Sequence, residues 1–152
     1  MITKQQGKRR SMRESAFKII FASLFTQQTE KFRREIYKLA QLPEDCCNDA
    51  DKLVDSVLNN MQELLDILSK YCTRYKVERL FYTDKAFLLL ALAEMKYSTD
   101  VKNIIVIDEV VSIAKKYSTE HGLSFINGVL AAYVKDIELD DYITHILEIT
   151  EG

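Results

Sequence analysis

Lys8, Arg9, Arg10 and Arg13 form the densest cationic cluster in the chain. They sit at the predicted start of a helix, where free amides and the macrodipole attract anions and guanidinium forks add bidentate contacts to phosphate. That chemistry suits a phosphate backbone, but a solvated basic tail has the same composition, and the residues alone leave both readings open. Lys115 and Lys116 close a second predicted helix, where they either extend a cationic track or simply complement the carboxyl end of the dipole. Phe125 and Asn127 flank Ile126 just before Gly128. An exposed Phe beside an Asn amide reads single-stranded RNA by stacking and base-edge hydrogen bonds, whereas a buried Phe with a bridging Asn is ordinary helix packing. Gly128 is read as a packing contact, since a glycine inside a helix costs about 1 kcal/mol against Ala. The alternation Tyr71, Arg74, Tyr75, Lys76, Arg79, Phe81, Tyr82 reads as an interhelical connection rather than a site.

Catalytic chemistry finds little material. The two histidines, His121 and His145, stand apart, no Gly-rich phosphate loop is present, and no Cys/His group has metal-ligand spacing. Asp108 and Glu109 are sequence neighbours and diverge by about 100° on a helix, which does not build an acid–base pair. No enzyme activity, metal or cofactor is expected.

The elements that carry these residues are helical. One proline and four glycines in 152 residues argue against an all-β fold, and 47% hydrophobic with 29% charged residues is an ordinary globular balance. Ser11 with Glu14 resembles a capping box opening a first helix, with Phe17, Ile20, Phe21 and Leu24 inward and an end near Gln27. Phe32, Ile36, Leu39 and Ala40 mark a second helix after Thr29, stopped before Pro43. A loop is expected from Pro43 to Asp49, then one long helix on Val54, Val57, Met61, Leu64, Leu68 and Tyr71. Ala86 to Ala93 is apolar on all sides and belongs at the centre of the fold. Ile104, Ile107, Val111 and Ala114, joined by Val110 and Tyr117, define an amphipathic helix, and a break over 118–122 precedes another on Phe125, Ile126, Val129, Leu130 and Tyr133. Tyr142, Ile143, Ile146 and Leu147 suggest a last short helix. The expectation is all-α, one domain of about seven helices: a flexible basic arm over 1–10, a helical body over 11–137, and a tail over 138–152.

Net charge is −2, but residues 1–18 carry six basic residues against Glu14 alone, a local +5 that leaves −7 elsewhere. Such asymmetry supports a local anion site in an acidic protein. Cys46, Cys47 and Cys72 are odd in number, and the amino terminus has no apolar signal core, so free thiols in a cytoplasmic setting are expected. No apolar run spans a bilayer.

Ile107-Asp108-Glu109-Val110, Ala114-Lys115-Lys116-Tyr117 and Phe125-Ile126-Asn127-Gly128-Val129-Leu130 resemble the signature INEAxxLAKxF…FVNGVL of the NusB family of bacterial antitermination factors. Lys8 to Ala16 is similar to that family's RRxAREcA opening, and Asp84-Lys85-Ala86-Phe87-Leu88 with Glu94 to its (D/E)xAxLRxAxxEL block. The resemblance covers roughly residues 8–134. It implies a factor that binds boxA-type RNA in nascent ribosomal transcripts, pairs with NusE, a small-subunit ribosomal protein, and joins the RNA polymerase antitermination complex. It carries RNA contact onto Lys8, Arg9, Arg10 and Arg13, a track that Lys115 and Lys116 would extend, and partner contact onto Phe21 and Asp84; Phe125 and Asn127 stay candidates on their chemistry, between the two readings above, and self-association through that apolar partner surface stays open. The chain departs from the pattern: Asp100-Val101-Lys102 lacks the family's proline, Asp108 replaces Asn, and Leu89 and Ser124 stand where cations are usual. These departures favour, as alternative, a helical protein-interaction module with weak or no RNA binding of its own. A third reading, the NusB-like domain that precedes some ribosomal RNA cytosine methyltransferases, calls for a catalytic domain that a chain ending at Gly152 does not carry.

Overall fold

The computed structural model describes residues 3–98 and 100–151. Among these, seven α-helices and one short 3-10 turn make up the fold: α1 (Lys4–Ser23), α2 (Glu30–Leu39), α3 (Glu44–Leu58), α4 (Met61–Tyr71), the turn Val77–Arg79, α5 (Tyr82–Tyr97), α6 (Asn103–Ala114) and α7 (Glu120–Glu151). The all-α expectation holds. Helix α5 is the axis: every residue from Ala86 to Ala93 is completely buried, and α1, α3, α4, α6 and α7 all pack on it. An apolar helix without a polar face has no stable place except the middle of a bundle.

Several boundaries differ from the sequence expectation, each for a local reason. Helix α1 opens at Lys4, not Ser11, because Thr3 and Gln6 form their own capping box: the Gln6 amide donates to Thr3 Oγ1 (3.1 Å) and the Thr3 amide to Gln6 Oε1 (2.7 Å). Residues 4–10, expected as an arm, are therefore helical, and α1 ends at Ser23, short of Gln27. Pro43 is the N-cap of α3 and Glu44 and Asp45 fill its first turn, so the expected loop is helix; carboxylates favour a helix start. The long third helix is two, parted at Asn59–Asn60, where Asn60 Nδ2 donates to the Ser56 carbonyl at 2.8 Å and competes with the backbone ladder. The predicted stripe nonetheless stays in phase, with Val54, Val57, Leu64 and Leu68 buried.

Helix α6 is so apolar that periodicity does not choose its face: Val106, Ile107, Val110, Ile113 and Ala114 are buried, while Ile104, expected inside, is 61% exposed. In α2 the buried residue is Tyr37, and Leu39 is exposed. The last short helix is no separate element but the end of α7, which runs unbroken for 32 residues.

The glycine that matters is Gly122. A Cβ there would stand 2.1 Å from Ser118 Oγ and 3.0 Å from Asp84 Oδ2, whereas nothing lies within 4 Å of one at Gly128. The packing role expected of Gly128 thus belongs to Gly122, which lets the start of α7 close onto α5.

Candidate nucleic-acid interface

Helix α1 distributes the four cations of its first half in three directions. Arg13 points into the body. Its Nε and Nη2 donate to Glu94 Oε1 and Oε2 at 2.8 and 2.7 Å, and the side chains are 3% and 6% exposed. This fork-to-fork pair consumes the guanidinium edge that would meet phosphate, so Arg13 pins α1 to α5 and is not on the surface; the sequence reading of Arg13 as an RNA contact is corrected. Burying a charge demands a partner of this quality, and Glu94 supplies it.

Arg10 turns toward α6. Nε and Nη2 donate to Glu109 Oε2 and Oε1 at 2.9 and 3.0 Å. Three of the five guanidinium N–H groups stay available, and the side chain is 30% exposed. The hydrogen bond from Arg10 holds the Glu109 carboxyl below its usual range, outweighing partial burial. One turn on, Glu14 accepts from Lys116 Nζ at 3.1 Å and from Tyr117 Oη at 2.5 Å. Burial raises its pKa, but these two bonds and the charges of Lys116 and Lys18 lower it by more. Because residues 10, 14 and 18 succeed one another along one helix face, Arg10, Lys116 and Lys18 are gathered on the α1/α6 edge, threaded by two carboxylates. Lys115 is exposed at the end of α6 and makes no ion pair among the described residues.

Lys8 and Arg9 lie on the other side of α1. Lys8 faces α3 near Cys46. Arg9 is exposed and lines a cavity of about 480 Å³ between α1, α3 and α5, beside Lys52, Asp49, Tyr97 and Asp100. Lys52 was not singled out in the sequence; it stands some forty positions from the arginines, with no local signal to join them.

Phe125 and Asn127 do not form a reader pair. Two residues apart on α7, they point about 200° apart; Phe125 is half-buried with its ring 6.2 Å from Tyr75 in an edge contact, and Asn127 is exposed. Neither has a hydrogen bond or ring contact to α1 among the described residues. Of the two positions where cations were missed, Leu89 is fully buried and only Ser124 is at the surface.

The residues marked for a protein partner also separate. Asp84 is buried, 6% exposed, and accepts from Ser118 Oγ at 2.6 Å; it secures the α6–α7 turn against α5 and is not a surface contact. Phe21 is half-buried within an aromatic seam. Phe87 in the core stacks on Phe17 at 3.8 Å, Phe17 leads to Phe21, Phe21 to Phe25 at 5.3 Å, and Phe25 to Tyr82 at 4.6 Å. The seam surfaces at Phe25, Tyr82 and, beside it in sequence, Phe81, which are 60%, 42% and 77% exposed. Three aromatics exposed at the end of a core-anchored ladder make one apolar patch at the surface.

With α5 sheathed by its neighbours and a cationic edge on α1 and α6, comparison with known proteins decides the family. The NusB family model matches residues 10–135. The chain belongs to the NusB family. A curated relative, the transcription antitermination protein NusB of Chloroherpeton thalassium, is 30% identical over a match that covers 86% of this chain and 63% of that protein, just under two thirds of its length. The structure of T. maritima NusB is similar with a TM-score of 0.77 and 30% identity, covering 89% of this chain and 93% of that one. A crystal structure of antitermination factors NusB and NusE in complex with dsRNA aligns with a TM-score of 0.76 and 27% identity, covering 85% and 97%. The family match stops at residue 135, so the distal part of α7 lies outside it.

Proposed function

We propose that this chain is a transcription antitermination factor that binds boxA-type RNA along the α1/α6 edge and pairs with a NusE protein through the aromatic seam at Phe25, Phe81 and Tyr82. The observation that carries the proposal is the gathering of Arg10, Lys18 and Lys116 on one edge, with the exposed Lys115 next in sequence at the end of α6 and Arg9 and Lys8 across α1. Cations in such a line contact successive phosphates and set affinity without reading sequence. The names of the relatives, an antitermination protein and a NusB–NusE–RNA assembly, support the reading. The role is one of binding, without chemistry of its own, and is exercised in the cytoplasm; among the described residues no helix is long and apolar enough to cross a membrane.

One observation favours a second reading, an interaction module that leaves RNA to its partner: Glu109 and Glu14 stand among the cations and offset part of their charge. Charge removal separates the two. Arg9→Ala/Arg10→Ala/Lys115→Ala should weaken binding of a labelled boxA-like RNA by at least about tenfold, while Lys31→Ala/Lys38→Ala on α2 should leave it unchanged. Equal effects of the two variants would remove the α1/α6 edge from the account, and no binding by the parent chain with NusE present would favour the module.

A further inference from the structure

The distal part of α7 presents an apolar face that none of the described residues covers. Helix α7 is anchored as far as Asp136, whose Oδ2 accepts from Tyr71 Oη at 2.7 Å, and Ile137, half-buried on the core. From Glu138 to Glu151 every residue is exposed. Leu139, Tyr142, Ile143, Ile146, Leu147 and Ile149 are between 40% and 63% exposed and fall on one side of the helix, an arc of about 160° at 100° per residue. Together they hold on the order of 600 Å² of exposed surface, at the upper end of the largest patch on a typical monomer and most of the roughly 800 Å² per partner of a stable interface.

This face is not the one that α7 turns to the core. Gly122, Ile126, Val129, Leu130 and Tyr133 are the buried residues, about a third of a turn around from the distal stripe. The stripe instead continues the exposed side of the anchored part. Gly128, Ala132 and Lys135 lead to Leu139, Tyr142, Ile146 and Ile149 at intervals of 4, 3, 4, 3, 4 and 3, a heptad seam three repeats long. Its first half is small and its second half large.

We infer that two copies of this chain associate through α7, antiparallel, with Lys135 near the two-fold axis. Pairing about residue 135 sets Gly128 opposite Tyr142, Ala131 opposite Leu139 with Ala132 beside it, and Ser124 opposite Ile146, so the bulky half of each seam meets the small half of the other. The open space around Gly128 admits the tyrosine ring. Charge selects the same direction. Residues 136–151 hold Asp136, Glu138, Asp140, Asp141, Glu148 and Glu151 and no Lys or Arg, so a parallel pair would set six acids beside six. The antiparallel pair lays each acidic end along a stretch whose only acid is Glu120, toward the exposed Lys115 and Lys116 of the other copy. A cation at one seam position, here Lys135, fixes register in such pairs. The bulky half of the seam, from Leu139 onward, lies outside the family match, and the seam does not depend on the RNA-binding reading.

Sedimentation of the full chain from about 1 to 100 µM tests this, with a dimer of micromolar dissociation constant expected. Leu139→Glu/Ile146→Glu places carboxylates in the seam and should raise that constant on the order of 100-fold, with helicity by circular dichroism unchanged. Direction is read by thiol crosslinking, because the native Cys46, Cys47 and Cys72 are buried. A Gly128→Cys chain mixed with a Tyr142→Cys chain should crosslink to each other, and neither to itself. A monomer at the highest concentration would overturn the proposal and assign the stripe to a different protein. Self-crosslinks of either single variant, or a dimer that the double glutamate leaves intact, would overturn it as well.

Discussion

Replacing Arg13 by Met strands the Glu94 carboxylate, which is 5% exposed and accepts both hydrogen bonds of the pair. Removing one partner of a buried pair costs about 3–5 kcal/mol, because the remaining charge loses its compensation. Set against a total stability of roughly 5–15 kcal/mol, this is a large fraction. At about 2–4 °C per kcal/mol for a chain of this size, the midpoint should fall by roughly 6–20 °C. Arg13→Met/Glu94→Leu should recover most or all of the loss, since an apolar pair of similar volume does not carry the desolvation cost. Urea unfolding followed by circular dichroism measures both, with a shift of midpoint at constant slope. A single variant within about 1 kcal/mol of the parent, or a double variant no better than the single, would refute the reasoning. The folded double variant should also keep its RNA affinity, because the guanidinium edge of the buried Arg13 is spent on Glu94; losing it would restore Arg13 to the interface.

Gly122→Ala should destabilise by forcing Ser118 and Asp84 apart, whereas Gly128→Ala, with open space around it, should stabilise the monomer by about 0.5–1 kcal/mol through helix propensity; thermal melts at submicromolar concentration compare them. Glu109 and Glu14 have folded pKa values below the usual 4.5, so their stabilisation is present above that pH and lost as pH falls through the folded values. Acid unfolding should therefore steepen below about pH 4.5, and Glu109→Gln/Glu14→Gln should flatten the curve. At the alkaline end, Tyr71 and Tyr117 are pushed up to about 12, by burial first and then by the bonds to Asp136 and Glu14. Stability from these hydroxyls is complete below pH 10 and lost as pH rises toward 12, and absorbance titration should show them ionising late. For RNA, Arg9→Ala/Arg10→Ala/Lys115→Ala should reduce the slope of log K against log salt by about 2, at roughly 0.7 per single-strand phosphate contact; an unchanged slope would mean that these side chains touch no phosphate.

Much of the fold was legible because its signals are local. The central place of α5 follows from eight consecutive apolar residues, and the phase of the α3/α4 stripe survives the break that Asn60 introduces. The Thr3–Gln6 capping box is an equally local signal, and it precedes the Ser11–Glu14 pair, which therefore lies inside α1 and not at its start. What sequence could not order was the sharing of cations. Arg13 meets a carboxylate 81 positions away, Arg10 one 99 away and Lys116 one 102 away, and no periodicity marks those partners. The same limit hid the burial of Asp84 and moved the close approach from Gly128 to Gly122, since both depend on how α7 meets α5. In α6, where nearly every side is apolar, the sequence supplies a helix but not the face that it buries.

The affinity of this chain for a labelled boxA-type single-stranded RNA, measured by fluorescence anisotropy with and without saturating NusE, addresses the proposed function most directly. The account predicts salt-sensitive binding that NusE tightens at least about tenfold, a coupling of roughly 1.4 kcal/mol, with RNA tightening the NusE interaction by the same factor. Identical affinities in both titrations, or no binding in either, would contradict it.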